Sequence, residues 1–543
     1  MRGTCRRALA AVAAGALIAV LAPAAGAHQP GPKAPQLDWQ PCGGNAAYVL
    51  CATAKVPLDY DDPNGPTIDL HVAKSPATDP DPSHHLGSLF FNFGGPGAST
   101  ADYLEYYGTG LWPAFNARYD IIAMDPRGVG QSQPSIDCKA NQETEGIYGQ
   151  PFTTPDNLNP KALINKDLGY INKCVSLNRK ILPHVSTANV ARDMDLLRRS
   201  FGEDKLSYFG YSYGTFLGST YASLFPKNYK RMVLDGPVDA TDYINDPLSD
   251  LSAQSDGFER ALGRFFQACA VDQYACHGFG GKDPWDAYDQ LVDQANETPI
   301  PASGPDPRPV DGDDINFAAT GEIYAKQAWG ELAEALDLAA HGDGTEIRRL
   351  TDESYGLLDD GTYDPGTDRY FTIGAVEQRY PRDVGLYLRA GKRSWSEHEH
   401  TWWNNGYVEL NYGLWPIHDK DAFAGPFRIP SSSPTPLVVA TTYDPATPYR
   451  GAKSLVRDLG NARLITMRGD GHTAYSGNSP CIDTAVEAYM NDGTLPPPGT
   501  KCVQTAPFER YDPAPAPAAK SLAVRALVNL QPRLHSKPLP QLP

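Results

Sequence analysis

One five-residue stretch constrains this chain more than any other: Gly210-Tyr211-Ser212-Tyr213-Gly214, which has the form G-x-S-x-G. The run Lys205–Phe209 before it reads as a short buried strand, and Thr215–Phe225 after it reads as a helix. A strand that turns at once into a helix leaves the central serine on a tight elbow, with its hydroxyl above the sheet. The flanking glycines follow from the same turn, because a side chain at either would strike the neighbouring strand or helix. The pentapeptide alone is a weak signal; the strand and helix around it make Ser212 a candidate nucleophile. Such a serine needs a base, and the base needs an acid to orient it.

Both have candidates downstream. Pro436–Thr441 reads as a strand, and Asp444 follows it; Ala462–Met467 reads as the next strand, and Gly469-Asp470-Gly471-His472 follows that. Asp444 alone would pass for a turn residue before Pro445, and His472 alone for a solvated loop histidine. Placed after consecutive strands, in the order Ser212, Asp444, His472, they match the chain order of α/β-hydrolase triads. A further strand, Ser88–Phe93, runs into Gly94-Gly95-Pro96-Gly97, a loop type that offers a backbone N–H to an oxyanion. Gly95 is the favoured donor, with Gly94 left open, and the N–H of Tyr213 would be the second.

With these residues in place the chain resembles the secreted tripeptidyl aminopeptidases of actinomycetes, relatives of the prolyl iminopeptidases among the α/β-hydrolases. The resemblance runs through Asn92–Gly97, Asp125-Pro126-Arg127-Gly128-Val129-Gly130, Thr187–Asp195, Tyr211–Thr215 and Asp444-Pro445-Ala446-Thr447-Pro448. It implies hydrolysis of peptides from a free N-terminus, with release of tripeptides or shorter units. It also implies that no cofactor or metal is needed. A buried ammonium requires a carboxylate partner, and Ala375-Val376-Glu377 resembles a family segment that continues with cysteine, so Glu377 is the first candidate for the substrate amine and Glu322 a weaker one. Here Gln378 stands where that cysteine would be, and Tyr412 where its apparent partner would be, so one cross-link of the family is expected to have been lost as a unit.

The N-terminus reads as a secretion signal. Arg2, Arg6 and Arg7 precede an apolar run from Ala8 to Leu21, and Ala25-Gly26-Ala27 fits a cleavage site, so the mature chain is expected to begin near His28. Eight cysteines lie beyond it, an even number in a secreted chain, and sequence neighbours pair as 42–51, 138–174, 269–276 and 481–502. The formal charge is −17, and loss of the three arginines makes the mature chain more acidic still. Such a surface repels nucleic acid and anionic membranes. The expected partners are therefore peptides with a free N-terminus, and the expected location is extracellular.

Length and pattern predict an α/β-hydrolase fold, with a mostly parallel central sheet and an inserted, largely helical cap domain. Residues 1–27 are the signal peptide, 28–240 the first part of the core, 241–433 the cap, 434–510 the C-terminal part of the core, and 511–543 a Pro-rich tail. Val56–Tyr60 and Thr67–Val72 are expected to form a hairpin, Ala188–Arg199 a helix capped by Thr187 with Val190, Met194 and Leu197 buried, and Ile323–Ala340 a cap helix. Glu397-His398-Glu399-His400 lacks H-E-x-x-H spacing and reads as a polar loop or helix end, not a metal site. Asp311-Gly312-Asp313-Asp314 reads as a turn, and Arg127 as structural. Two other readings compete with the peptidase: a secreted carboxylesterase or natural-product hydrolase with the same triad, and a non-catalytic binding protein on this scaffold, which would not need all three triad residues.

Overall fold

The computed structural model describes residues 32–43, 48–149, 152–304, 306–402 and 407–511. The expected signal peptide and the Pro-rich stretch beyond Tyr511 lie outside the described residues. Ten strands form one sheet: β1 (Gln40–Pro41), β2 (Leu50–Pro57), β3 (Thr67–Ser75), β4 (Ser88–Asn92), β5 (Asp120–Met124), β6 (Leu206–Tyr211), β7 (Tyr229–Asp235), β8 (Leu437–Tyr443), β9 (Arg463–Asp470) and β10 (Lys501–Val503). Their order is β1-β2-β3-β5-β4-β6-β7-β8-β9-β10. The pairs from β5 through β10 are parallel; β1, β2 and β3 form an antiparallel edge. The order turns back at β4, so β6 lies beside β4, where ligand crevices open at the carboxyl ends of the strands.

Period-two alternation explains why both faces are covered. Phe90, Tyr208, Met232 and Val438 enter one hydrophobic cluster, with Val190, Met194, Leu197 and Phe216 from helices on that face. Their neighbours Leu89, Phe91, Phe209, Val233 and Leu437 enter the other, with Leu104, Trp112, Ile482 and Val486. Continuous apolar runs buried on both sides are the signature of a parallel sheet, and each such side chain contributes about 1.5–3 kcal/mol.

Between β7 and β8 the chain is helical, beginning with Ala240–Asn245 and Pro247–Val271 and ending with Gly366–Glu377, Val384–Glu397 and Leu410–Leu414. Its first half has its own cluster around Phe258, Phe265, Ile315, Leu332 and Leu336. Its second half does not stand apart: Phe371, Ile373, Tyr412 and Trp415 belong to the main cluster. Asp368, in the insert, accepts from Cys138 N, Gln142 Nε2 and the Tyr170 hydroxyl, each at 2.8 Å, so the segment before the nucleophile strand is joined to the insert.

Three local expectations need correction. The hairpin strand is Leu50–Pro57, not Val56–Tyr60, because the Leu58 carbonyl and the Tyr60 hydroxyl turn away to a buried ion pair. The predicted helix Ile323–Ala340 is broken: one helix ends at Glu322 and the next begins at Trp329, freeing the Tyr324 carbonyl to accept from His472 N at 2.6 Å. Thr187 is the first helical residue, not the cap, and Ser186 in the cap position makes no side-chain capping bond. All four disulfides pair sequence neighbours as expected. Asp311 closes a capping box on the helix Gly312–Glu322, a turn role. Among the described residues no helix is long and apolar enough to cross a membrane.

Arg127 is structural. Its guanidinium makes a two-pronged pair with Asp193 at 2.7 and 2.8 Å and donates to the carbonyls of Pro57, Leu58 and His184. Both side chains are fully buried. Arg127→Ala would leave the Asp193 charge buried without its partner, and is expected to cost about 3–5 kcal/mol of folding stability. Urea unfolding of the two proteins at neutral pH checks this; a difference below about 1 kcal/mol would refute it.

Candidate active site

Ser212 occupies the turn between β6 and the helix Tyr213–Leu224, at φ 55° and ψ −127°. This backbone costs a non-glycine residue on the order of 1–3 kcal/mol and persists only where its surroundings impose it. They do so here. Ser212 N donates to the Asp235 carbonyl at 2.9 Å, and the Thr215 N–H and hydroxyl return to the Ser212 carbonyl at 2.8 and 2.6 Å. A Cβ on Gly210 would sit 2.3 Å from the Gly214 carbonyl oxygen, and one on Gly214 would sit 2.6 Å from the Asn92 oxygen. The motif glycines are thus dictated by contact between strand and helix.

Asp444 follows β8 and is buried. Its carboxylate accepts from His472 Nδ1 at 2.9 and 3.0 Å, from the N–H groups of Ala446, Thr447 and Thr473, and from the Thr447 hydroxyl. This donor set holds the acid still and fixes the imidazole so that Nε2 is its free nitrogen. That Nε2 is buried and has no hydrogen-bond partner among the described residues. Ser212 and His472 meet consecutive residues: Asp235 holds the Ser212 N–H, and a Cβ on Gly236 would lie 3.0 Å from His472 Cε1. The Asp235 carboxylate also accepts from Ala474 N and Tyr475 N, tying down the loop behind the histidine.

The two N–H groups expected to face an oxyanion differ in their commitments. Gly94 N donates to Asn92 Oδ1 at 3.0 Å, whereas no acceptor for Gly95 N is found among the described residues. Tyr213 opens its helix, so its N–H lacks a carbonyl one turn back. Gly95, Ser212 and Tyr213 all line one cavity. Its other walls come from the insert (Tyr243, Asp250, Tyr370, Gln378, Tyr380 and Tyr412) and from Thr447 to Arg450. Gln378 and Tyr412, expected from the resemblance to stand where a cross-link would be, are neighbours: both lie within 3.1 Å of where a Gly374 Cβ would be. Tyr412 stacks on Tyr380 with centroids 4.4 Å apart.

Glu377 is not a wall of this cavity. It is buried at the end of the helix Gly366–Glu377, where its oxygens accept from Thr187 N at 2.8 Å, the Thr187 hydroxyl at 3.0 Å and the Tyr243 hydroxyl at 3.4 Å. Burial pushes its pKa up to about 7 despite these bonds. Glu322 is fully buried and does not line the cavity either. Two carboxylates do line it, Asp239 and Asp250; Asp250 is half-buried near the start of the helix Pro247–Val271, with a pKa pushed up to about 7 by burial and by Asp239 and Asp242, against Arg450 in the same wall. Sequence reading did not single out Asp250; the four acidic residues from Asp239 to Asp250 carry no mark of which two line the cavity.

The insert also grips the base loop. Arg264 pairs with Asp470, the residue ending β9, and lies 3.7 Å over the Tyr443 ring beside Asp444. The histidines of Glu397–His400 turn to carboxylates: His398 meets Asp256, and His400 lies between Glu259 and Asp289. Among the described residues the only grouping with metal-like spacing is Cys42, Cys51 and Glu105, and its two thiols form a disulfide.

A family model described as "alpha/beta hydrolase fold" matches residues 87–277, and one described as "TAP-like protein" matches residues 412–502. Together with the sheet order they define an α/β-hydrolase. Serine protease Hip1 of Mycobacterium tuberculosis is 30% identical over 86% of this chain and 91% of its own length. Carboxylesterase B of the same species is 32% identical, over 86% and 90%. The tripeptidyl aminopeptidase of Streptomyces lividans is 29% identical, over 84% of each chain. The chain belongs to the tripeptidyl aminopeptidase family of α/β-hydrolases.

Asp235 gives the site a pH signature. Its buried carboxyl is pushed up to about 7, chiefly by burial and against the two backbone N–H groups, from an ordinary value of 3.8. A raised folded-state pKa means that folding favours the proton. The stabilisation is complete below about 4 and is lost as pH rises through about 7, a span worth up to about 4 kcal/mol. Asp235→Asn keeps an acceptor for both N–H groups and does not ionise. Its unfolding midpoint is expected to fall less between pH 5 and 8 than that of the parent. Scanning calorimetry across that range checks it, and parallel curves would refute it.

Proposed function

We propose that this protein is a secreted serine exopeptidase that cleaves peptides near a free N-terminus and releases tripeptides or shorter units. The observation that carries the reading is one cavity in which Ser212 shares the walls with a half-buried carboxylate, Asp250. His472 takes the Ser212 proton through Nε2 as the hydroxyl oxygen attacks the scissile carbonyl. Asp444 holds the imidazole and stabilises the imidazolium. The N–H groups of Gly95 and Tyr213 receive the oxyanion, each such donor being worth about 2.7–4 kcal/mol of barrier. His472 then protonates the leaving amine, and water releases the acyl group from Ser212.

Asp250 takes the role first assigned to Glu377, pairing with the substrate ammonium in the cavity it shares with Ser212. The rings of Tyr243, Tyr370, Tyr380 and Tyr412 give the bound residues apolar surface to pack on. The relatives named serine protease and tripeptidyl aminopeptidase support peptide-bond hydrolysis. Four disulfides and the N-terminal sequence pattern support an extracellular location. The relative named Carboxylesterase B favours a second reading, ester hydrolysis by the same three residues.

The test is a set of chromogenic tripeptide amides, with free and N-acetylated termini, beside a short-chain p-nitrophenyl ester. The exopeptidase reading expects turnover of the free-amine amide, little or none of its acetylated twin, and loss of at least about 10³-fold with Ser212→Ala. Asp250→Asn is expected to raise KM for the free-amine amide about tenfold or more and leave ester turnover near the parent value. Ester cleavage with neither amide touched would sink the peptidase and establish the esterase.

A further inference from the structure

Three donors converge on the two oxygens of Glu377: the Thr187 N–H, the Thr187 hydroxyl and the Tyr243 hydroxyl. Because the Thr187 hydroxyl gives its proton to the carboxylate, its oxygen is the acceptor in the 2.5 Å contact with the Tyr213 hydroxyl. The chain of bonds therefore runs one way, from Tyr213 through Thr187 to Glu377. All of these side chains are buried. The Tyr213 ring packs against Phe216 and Tyr243, with centroids 6.1 and 6.2 Å apart. Tyr243 also bonds the carboxylate, so Glu377 fixes the Tyr213 ring at its tip and along its side.

Tyr213 is the residue whose backbone N–H stands at the mouth of the nucleophile helix. A donor that must meet an oxyanion acts only when it is held in place before the charge forms. We propose that Glu377 is a positioning residue, which holds the Tyr213 N–H toward the oxyanion through Thr187 and Tyr243. This rests on the hydrolase reading of Ser212, not on the choice between peptide and ester. The role joins the insert to the chemistry: Glu377 ends an insert helix, Thr187 opens a core helix, and Tyr213 follows the nucleophile.

A helix cap would also use the Thr187 N–H, and the test separates the two. Thr187→Val keeps the backbone bond to Glu377 and removes the hydroxyl that links Glu377 to Tyr213. Glu377→Gln leaves one acceptor oxygen for three donors and breaks the network from the other side. Both variants, and Tyr213→Phe, are expected to lower kcat about tenfold with KM within about twofold of the parent, on the ester and on any amide alike. Thr187→Ser, which keeps the hydroxyl, restores most of the loss. Thr187→Val combined with Tyr213→Phe is expected to be no worse than either alone. A parent that cleaves the ester but no peptide, with these losses intact, leaves the role of Glu377 standing while the exopeptidase reading falls. Loss confined to the free-amine amide, or carried by KM alone, would overturn the proposal and return Glu377 to amine binding. Unchanged kcat in Thr187→Val would overturn it in favour of a helix cap, whose backbone bond that variant keeps.

Discussion

Asp235 is where the site is tied together. It is the last residue of β7, between the strand that carries the nucleophile and the strand that carries the acid. Its carbonyl takes the N–H of Ser212, and its carboxylate takes two N–H groups from the loop behind His472. One rigid, fully buried residue thus sets the elbow and the base loop relative to each other. Parallel strands suit this use, since their carboxyl ends emerge side by side and a residue on the middle one can reach both neighbours. The burial that makes Asp235 a good anchor also disfavours its charge, so strain in the backbone at Ser212 and cost at Asp235 are both carried by the surrounding sheet.

The insert does more than roof the cavity. It supplies the Tyr324 carbonyl to His472 N, Arg264 to Asp470 and the Tyr443 ring, and Glu377 to the helix that opens at Thr187. It also supplies a large share of the cavity wall, including Asp250 and the ring stack of Tyr380 on Tyr412. The wall nearest Ser212 is therefore aromatic and acidic on the insert side and backbone-polar on the sheet side.

The residues legible in the sequence were those whose meaning is local. The elbow at Ser212, the strand ends before Asp444 and His472, and the glycine loop at Gly95 each carry their signal within about ten residues, the reach of pattern reasoning. The disulfides were legible because each joins cysteines at most 36 residues apart. The bonds of Glu377 were not legible because its partner Thr187 lies 190 positions away, and no local pattern marks a carboxylate that meets a helix start. The break at Tyr324 was hidden for a related reason: apolar spacing continues through it, and only the demand of His472 N for an acceptor opens the helix. Asp250 was hidden among acidic neighbours, which the fold, not the composition, sorts into inward and outward.

The grip of Arg264 and Tyr324 on the base loop has a consequence for how such a chain can change. An insert that only covered a cavity could be exchanged for another between the same two strands, as a module. This one holds the loop of His472 from above, so its helices and the sheet must be inherited together. Sequence drift is then cheapest on the insert's outer surface and in the cavity wall. Positions such as Gln378 and Tyr412 can trade a cross-link for packed side chains, while the few residues that reach down to β8 and β9 stay fixed.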